Sequence, residues 1–269
     1  PFLHIILEKK EVEIEEVVIR SSHNPADRII KNTIASRKKN GKMLDKYEAD
    51  FQAKGSMLLS KLPTKILGRK IDSAEVEKET GGSNVLYLSE TISKIKVEKP
   101  NKMYEQIIAS KISGDSKGLS FNRAEGTDFE LYSNYIVFNA KNIISPIADE
   151  AFAYYTYKLI SSFEEENQTI HELKITPKRT TEPVFEGYLY IVDDTWQIYA
   201  TDILTLGERI NIPIIDTMFI KQQYTFNQKD KHWVKQLQVL DFNGGLLGIG
   251  FGGNFTQTFS NYNFNPAFD

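Results

Sequence analysis

The stretch Val184–Leu206, VFEGYLYIVDDTWQIYATDILTL, holds two alternating apolar runs separated by the polar segment DDT. In the first run Tyr188 and Tyr190 fall on one face, whereas Leu189 and Ile191 fall on the other. Alternation with period two on both sides of a polar turn predicts a β-hairpin. Because strand-and-turn units also lie on either side of this stretch, we expect the hairpin within a large antiparallel sheet.

Further strands are predicted from the same alternation, with charged, proline or asparagine turns between them. They are expected at about 47–53, 85–88, 91–97, 103–112, 154–163, 169–176, 218–226, 233–242 and 251–260. Residues 60–83 carry many charges together with Pro63, Gly81 and Gly82. This composition predicts a long loop with a short strand near Ile66.

One long helix is predicted after the first 23 residues. Asn24 is a suitable N-cap, Pro25 occupies the first helical position, and Asn40-Gly41 ends the pattern. Apolar residues such as Ile29 and Ile30 recur at helical spacing, which predicts one buried face.

Two shorter helices are expected at about 127–135 and 145–152, the second because Ser145 can cap it and Pro146 can start it. The predicted fold class is therefore mainly β (α+β). We expect a strongly curved antiparallel sheet, half-barrel-like, with two or three helices packed on its concave face.

The composition limits the function classes. The 269 residues carry 33 Lys and Arg against 36 Asp and Glu, a net charge of −3. This balance gives no support for nucleic-acid binding. The chain has no cysteine, which excludes disulfides, thiolate metal ligands and a cysteine nucleophile. No apolar run is long enough for a membrane-spanning helix.

Candidate catalytic and metal-binding residues are sparse. The four histidines, at positions 4, 23, 171 and 232, show no metal-ligand spacing, so no metal or other cofactor is predicted. Asp193 and Asp194 fit ordinary turn chemistry. Asp202 lies six residues after Trp196 and therefore on the same face of the predicted strand, so we expect it to point into the sheet concavity. No nucleophile motif occurs, and the prediction is a protein that is not an enzyme.

The glycine-rich stretch Gly244–Gly253, GGLLGIGFGG, lacks the lysine and serine or threonine of a phosphate loop. Its glycines fit a bent strand or a close backbone approach.

Aromatic residues at alternating strand positions leave two alternatives open: a filled core, or an apolar ligand cavity on the concave face. If a cavity exists, the side chains expected to line it are Phe51, Tyr104, Tyr188 and Trp196.

Several segments together resemble one family of Gram-negative outer-membrane proteins. They are EEVVI (Glu15–Ile19), NPADRIIKNTIASRKKN (Asn24–Asn40), VEKPNKMYEQIIASKISGD (Val97–Asp115), SPIADEAFAYYTYKL (Ser145–Leu159) and SNYNFNP (Ser260–Pro266). In that family a carboxypeptidase-regulatory-like β-sandwich precedes a periplasmic domain of unknown function and a C-terminal outer-membrane β-barrel. The resemblance implies that residues 1–20 are the terminal strand or strands of the β-sandwich and that residues 21–269 are the periplasmic domain. No catalytic residue carries over.

The element order also resembles the lipoprotein-carrier (LolA/LolB-like) fold, through the helix, the strand ADFQAKGSM, the Lys-Pro turn and the long meander. That fold holds acyl chains in a half-closed barrel.

The two resemblances imply a non-catalytic periplasmic module of an outer-membrane protein. It would bind a lipid, a lipoprotein acyl chain or a client polypeptide in envelope transport or assembly. The alternative is a structural or protein-interaction module that positions the β-barrel and has a filled core. A third alternative is an envelope hydrolase.

Overall fold

The computed structural model describes residues 24–61, 65–66, 69–70, 84–100, 102–114, 120–127, 129–138, 140–165 and 167–267. The strands predicted within residues 1–20 and most of the predicted loop at 60–83 lie outside these ranges. The strands are β1 (Lys46–Lys61), β2 (Lys65–Ile66), β3 (Arg69–Lys70), β4 (Val85–Glu98), β5 (Lys102–Gly114), β6 (Tyr135–Phe138), β7 (Lys141–Ile144), β8 (Tyr155–Glu165), β9 (Gln168–Pro177), β10 (Glu186–Val192), β11 (Ile198–Leu206), β12 (Ile215–Asn227), β13 (His232–Leu246) and β14 (Ile249–Asn263). The helices are α1 (Pro25–Lys42) and α2 (Ala151–Tyr154), and a 3-10 turn spans Gly207–Ile210.

Ten strands form one antiparallel sheet in the order β5-β4-β1-β14-β13-β12-β11-β10-β9-β8. Strands β5 and β8 are its two edges, so the sheet is open. The hairpin predicted at 184–206 is confirmed as β10 and β11, which pair in register from Glu186↔Leu204 to Ile191↔Ile198. The predicted fold class, a curved antiparallel sheet with few helices, is confirmed as well.

The two faces of the sheet differ in burial. On β4, Ser89, Thr91 and Ser93 are buried, whereas the intervening Glu90 and Ile92 are exposed. Because successive side chains of a strand point to opposite faces, one face of the sheet is covered and the other is open. We call the covered side, which lies against α1 and residues 120–150, the inner face, and the opposite side the outer face.

Helix α1 lies where the sequence predicts it. Asn24 caps its first turn, and the Asn24 side-chain amide donates a hydrogen bond to the Tyr157 carbonyl of β8 at 2.7 Å. Ile29 is fully buried in the core. Near the other end, the Asn40 amide donates to the Thr195 carbonyl at 3.1 Å. The helix therefore connects edge strand β8 with the turn between β10 and β11.

Several element predictions are wrong or incomplete. Where a helix was predicted at 127–135, residues 129–134 lead through turns into β6, which pairs with β7 in a separate two-stranded sheet. The helix predicted from Ser145 is limited to α2. Strand β4 is continuous where two strands were predicted. Strand β11 begins at Ile198 because Trp196 has a left-handed backbone, with φ of 57°. Tertiary contacts override local propensity at these positions.

The core has two parts. The larger lies between the inner face, α1 and residues 120–150. The smaller gathers Phe51 and Phe259 with neighbouring side chains of β1, β4 and β14. Gly55 on β1 makes room for the larger core, because a Cβ there would lie 2.2 Å from the Phe255 ring.

No helix in the described part of the chain is both long and apolar enough to cross a membrane.

Candidate functional site

The four side chains predicted to line a cavity are dispersed over the sheet. Phe51 is 1% exposed and packs edge-on against Phe259, with ring centroids 5.2 Å apart. Tyr104 is 63% exposed on β5. Tyr188 is half-buried on the outer face of β10, and Trp196 is half-buried in the turn before β11. The structure does not bring the four side chains together, and the ligand-cavity assignment stays a prediction.

The inner face is filled by residues 120–150, which we call the belt (residues 128 and 139 lie outside the described set). Tyr155 and Tyr157 of β8 donate hydrogen bonds to the belt carbonyls of Ile144 and Pro146 at 2.5 and 2.7 Å. Burial raises the pKa of both phenols, so they stay protonated donors. The belt side chains buried in the main core are Phe121, Phe129, Leu131, Tyr132, Ile136, Phe138, Ile143, Ile144, Ile147, Ala148.

Three buried glutamines on adjacent strands hold the belt to the sheet. The Gln222 amide donates to Gln238 Oε1 at 2.7 Å, and the Gln238 amide donates to Gln257 Oε1 at 2.7 Å. The same three amides also donate to belt carbonyls, respectively those of Phe129 at 2.7 Å, Thr127 at 2.8 Å and Phe121 at 2.9 Å. Since each of the three buried amide groups donates at least one hydrogen bond to the belt, the ladder fixes the belt backbone to the sheet.

Strand β5 has the opposite environment. Among the residues that the structure describes, β4 is its only strand neighbour. Thirteen large hydrophobic side chains in those residues are exposed, and eight of them lie on β1, β4 and β5. The four on β5 are Tyr104, Ile107, Ile108 and Ile112, which are 63%, 42%, 59% and 54% exposed. Exposed apolar surface is therefore concentrated at this edge of the sheet.

The charges of β5 are distributed unevenly between its buried and exposed positions. Glu105 has a side chain that is 3% exposed, and its carboxylate accepts a hydrogen bond from Arg123 Nε at 2.9 Å. Lys102 and Lys111 are exposed. Lys102 Nζ contacts the carboxylate of Glu98 at 2.9 Å. The exposed charges of β5 are thus both cationic, among apolar and neutral polar side chains, while its single acid is buried.

An open pocket of about 530 Å³ lies beside the turn between β4 and β5. Its base contains an ion pair between Lys99 Nζ and Glu130 Oε2 at 2.8 Å. Burial acts to raise the pKa of Glu130, but the nearby ammonium groups of Lys99 and Lys235 outweigh it and lower the pKa overall. The exposed Tyr135 and Val137 line its wall. A smaller pocket of about 340 Å³ is lined by Phe219, Lys221, Asp241, Phe242 and Asn243.

The sequence analysis missed one series of neighbouring side chains, in which a single hydrogen bond joins Ser162 and His171. Ser162 Oγ lies 2.8 Å from His171 Nδ1, and His171 Nε2 lies 3.3 Å from Asp193 Oδ1. His171 Nε2 is buried and makes no hydrogen bond, so the series lacks the acid–histidine hydrogen bond of a nucleophilic relay. Only the strand register reveals it, because the three residues come from β8, β9 and the β10–β11 turn. Neither pocket described above includes these residues, so the hydrolase alternative stays a prediction.

Asp202, expected in the concavity, instead lies on the outer face, where Lys221 Nζ contacts its carboxylate at 3.0 Å. Trp196 precedes β11 rather than belonging to it, so counting positions from Trp196 gives the wrong face for Asp202. Within the described ranges, no group of three or more His, Asp or Glu side chains could hold a metal ion.

One family model matches the chain over residues 29–262, and its description is "Family of unknown function (DUF5686)". No curated protein matches the chain.

Three solved structures illustrate the structural likenesses. A LolA superfamily protein from Nitrosomonas europaea is 9% identical, with a TM-score of 0.34 and coverage of 90% of this chain and 94% of that one. A putative outer membrane lipoprotein-sorting protein domain from Vibrio parahaemolyticus is 7% identical, with a TM-score of 0.30 and coverage of 89% and 95%. The MucA/MucB complex of Pseudomonas aeruginosa is 8% identical, with a TM-score of 0.24 and coverage of 88% of this chain and 100% of that one. TM-scores this low at such identities carry no argument for fold or function.

Proposed function

We propose that this chain, which belongs to the family of unknown function DUF5686, is a non-catalytic interaction module that binds an extended polypeptide along β5. The observation that carries the proposal is β5 itself. It is an edge strand of 13 residues, and every position except Met103 and Glu105 is exposed.

The backbone of β5 supplies the binding groups. In an antiparallel pair about half of the N–H and C=O groups of an edge strand point away from its partner. Over its 13 residues, β5 therefore presents a row of donors and acceptors about 40 Å long. An extended polypeptide can satisfy these groups by adding one more strand to the sheet. The exposed isoleucines then give the added strand apolar surface on both faces.

The charges of β5 select an acidic polypeptide. Its exposed ionic side chains are Lys111 and Lys102, the latter already paired with Glu98 of β4, whereas Glu105 is buried against Arg123. Lysines on an edge strand oppose pairing between two identical copies, because neither copy offers an exposed acid on that strand. A strand that alternates apolar residues with Asp or Glu has the complementary charge.

The filled inner face favours this function over a ligand cavity. The belt occupies the inner face of the sheet, and its buried side chains form part of the main core. The exposed apolar surface lies instead at the β5 edge. The proposal also includes the periplasm as the location and attachment to the outer membrane through a C-terminal β-barrel, as the sequence resemblance implies.

A peptide-binding experiment tests the proposal. The probe is a fluorescein-labelled peptide of about nine residues that alternates valine with glutamate, which is long enough to form a strand. We expect saturable binding by fluorescence polarisation. A peptide with lysine in place of glutamate should bind at least about tenfold more weakly, as should one N-methylated at alternate residues, because they lack the complementary charge or the backbone donors.

Two matched variants locate the site. Ile108→Lys alters β5, and Ile160→Lys alters the other edge strand, β8, where Ile160 is 45% exposed. The first should reduce peptide affinity at least about tenfold, and the second should leave it unchanged. Equal effects of the two variants, or no binding by the wild type, would contradict the proposal. Self-association of the wild type that Ile108→Lys abolishes would also contradict the proposal, because the polypeptide bound along β5 would then be a second copy of the chain.

A further inference from the structure

The hairpin between β13 and β14 ends in a tight apolar turn. Leu246 pairs with Ile249, and the two residues between them, Leu247 and Gly248, have φ of 52° and 85°. Positive φ at both central residues is the backbone of a type I′ turn, where asparagine, aspartate and glycine are the usual residues. We call Leu246–Ile249 the tip.

Leucine is an unfavourable choice at position 247. A bulky side chain in the left-handed region is an outlier, because its Cβ approaches the backbone too closely. Burial does not compensate for this strain, since Leu247 is 62% exposed and Leu246 is 57% exposed. Strain that folding does not require, at an exposed position, points to a role in binding.

The surroundings of the tip are apolar with a flanking cation. The ten residues Gly244–Gly253 carry no charged or hydrogen-bonding side chain. Phe251 packs against the core and anchors the hairpin, while both leucines of the tip are exposed. Strand β1 ends beside it, where the exposed Lys61 is the partner of Gly250 and Leu58 is 44% exposed.

We infer that the tip inserts into the interfacial region of a lipid membrane that carries anionic headgroups. The two exposed leucines enter the boundary between headgroups and acyl chains, and Lys61 stays at the headgroup level. A protein partner would need polar groups around an apolar centre to fix its orientation, and the tip has no such side chains. This surface is separate from the outer edge of β5 and does not depend on polypeptide binding there.

Vesicle flotation tests the inference. The vesicles contain equal parts of phosphatidylcholine and phosphatidylglycerol, and phosphatidylcholine vesicles serve as the neutral comparison. We expect the wild-type module to float with the anionic vesicles. The double variant Leu246→Asn/Leu247→Asn should bind at least about tenfold more weakly, because it removes the apolar side chains that enter the bilayer. Val137→Asn, at an exposed valine on β6, is the control and should bind as the wild type does.

A reporter at the tip gives an independent readout. Leu247→Trp should show a blue-shifted tryptophan emission with anionic vesicles, measured against the wild type, which contains Trp196 and Trp233. Brominated lipids should quench that emission. Emission that stays unshifted, or equal flotation of the wild type and the double variant, would overturn the inference. Circular dichroism and thermal unfolding establish that each variant is folded.

Discussion

At the level of single residues, the side chains that organise the inner face are polar. Gln222 is 2% exposed, and its amide donates to the Phe129 carbonyl and to Gln238. The adjacent Gln223 is exposed on the outer face of the same strand. The two glutamines are adjacent on β12, and only Gln222 is buried, so they form a matched pair for substitution.

We expect Gln222→Ala to lower the free energy of unfolding by about 2–4 kcal/mol, because it leaves buried acceptors without a donor and opens a small cavity. Gln223→Ala should change it by less than about 0.5 kcal/mol. Urea unfolding followed by circular dichroism measures both values. Similar small effects of the two substitutions would contradict a role for the glutamine ladder in holding the belt.

The sequence could not single out these glutamines. A glutamine in an alternating strand normally marks the solvent side, and only the register of β12, β13 and β14 aligns the three of them. The series Ser162, His171 and Asp193 was missed for the same reason. By contrast, Asn24 and Pro25 act within one turn of helix, so local sequence was sufficient to predict their role.

At the level of elements, the hairpin of β13 and β14 combines a packed base with a strained tip. Leu247 has a left-handed backbone, whereas the neighbouring Leu246 belongs to β13 and is similarly exposed. The glycine-rich sequence predicts a bent strand or a close backbone approach, but it does not identify the turn. Leu247-Gly248 lacks the asparagine or aspartate that usually signals a type I′ turn.

We expect Leu247→Asn to raise the free energy of unfolding by about 1 kcal/mol, because asparagine adopts the left-handed region more readily than leucine. Leu246→Asn should give no such gain, since its backbone is that of an ordinary strand. Thermal and urea unfolding of the two variants provide the comparison. A loss of stability in Leu247→Asn would show that Leu247 is needed for packing, and would remove the strain argument for its role at a membrane.

At the level of the whole molecule, the local alternation of the strands was enough to predict a large curved antiparallel sheet. The contents of its inner face were not predictable in the same way. The belt has little regular secondary structure, and its fold depends on contacts with strands far away in the sequence, such as Gln257 with the Phe121 carbonyl. Residues 127–135 were therefore assigned to a helix on the basis of local pattern alone. The sequence left a filled core and a cavity as open alternatives, and deciding between them requires the position of the belt.

The position of the belt on the inner face leads to a prediction about acyl-chain binding. An acyl chain could enter the inner face only if the belt left it, which would break the hydrogen bonds from Gln222, Gln238 and Gln257 to the belt backbone. Each buried group left without a partner costs about 1–3 kcal/mol.

We therefore expect native mass spectrometry of the purified module to give the mass of the polypeptide alone. An organic-solvent extract should contain no acyl species above that of a parallel mock purification. A stoichiometric acyl adduct would contradict this expectation and support the lipid-carrier function implied by the sequence resemblance. If Gln222→Ala alone carried such an adduct, the belt would be identified as the barrier that normally excludes it.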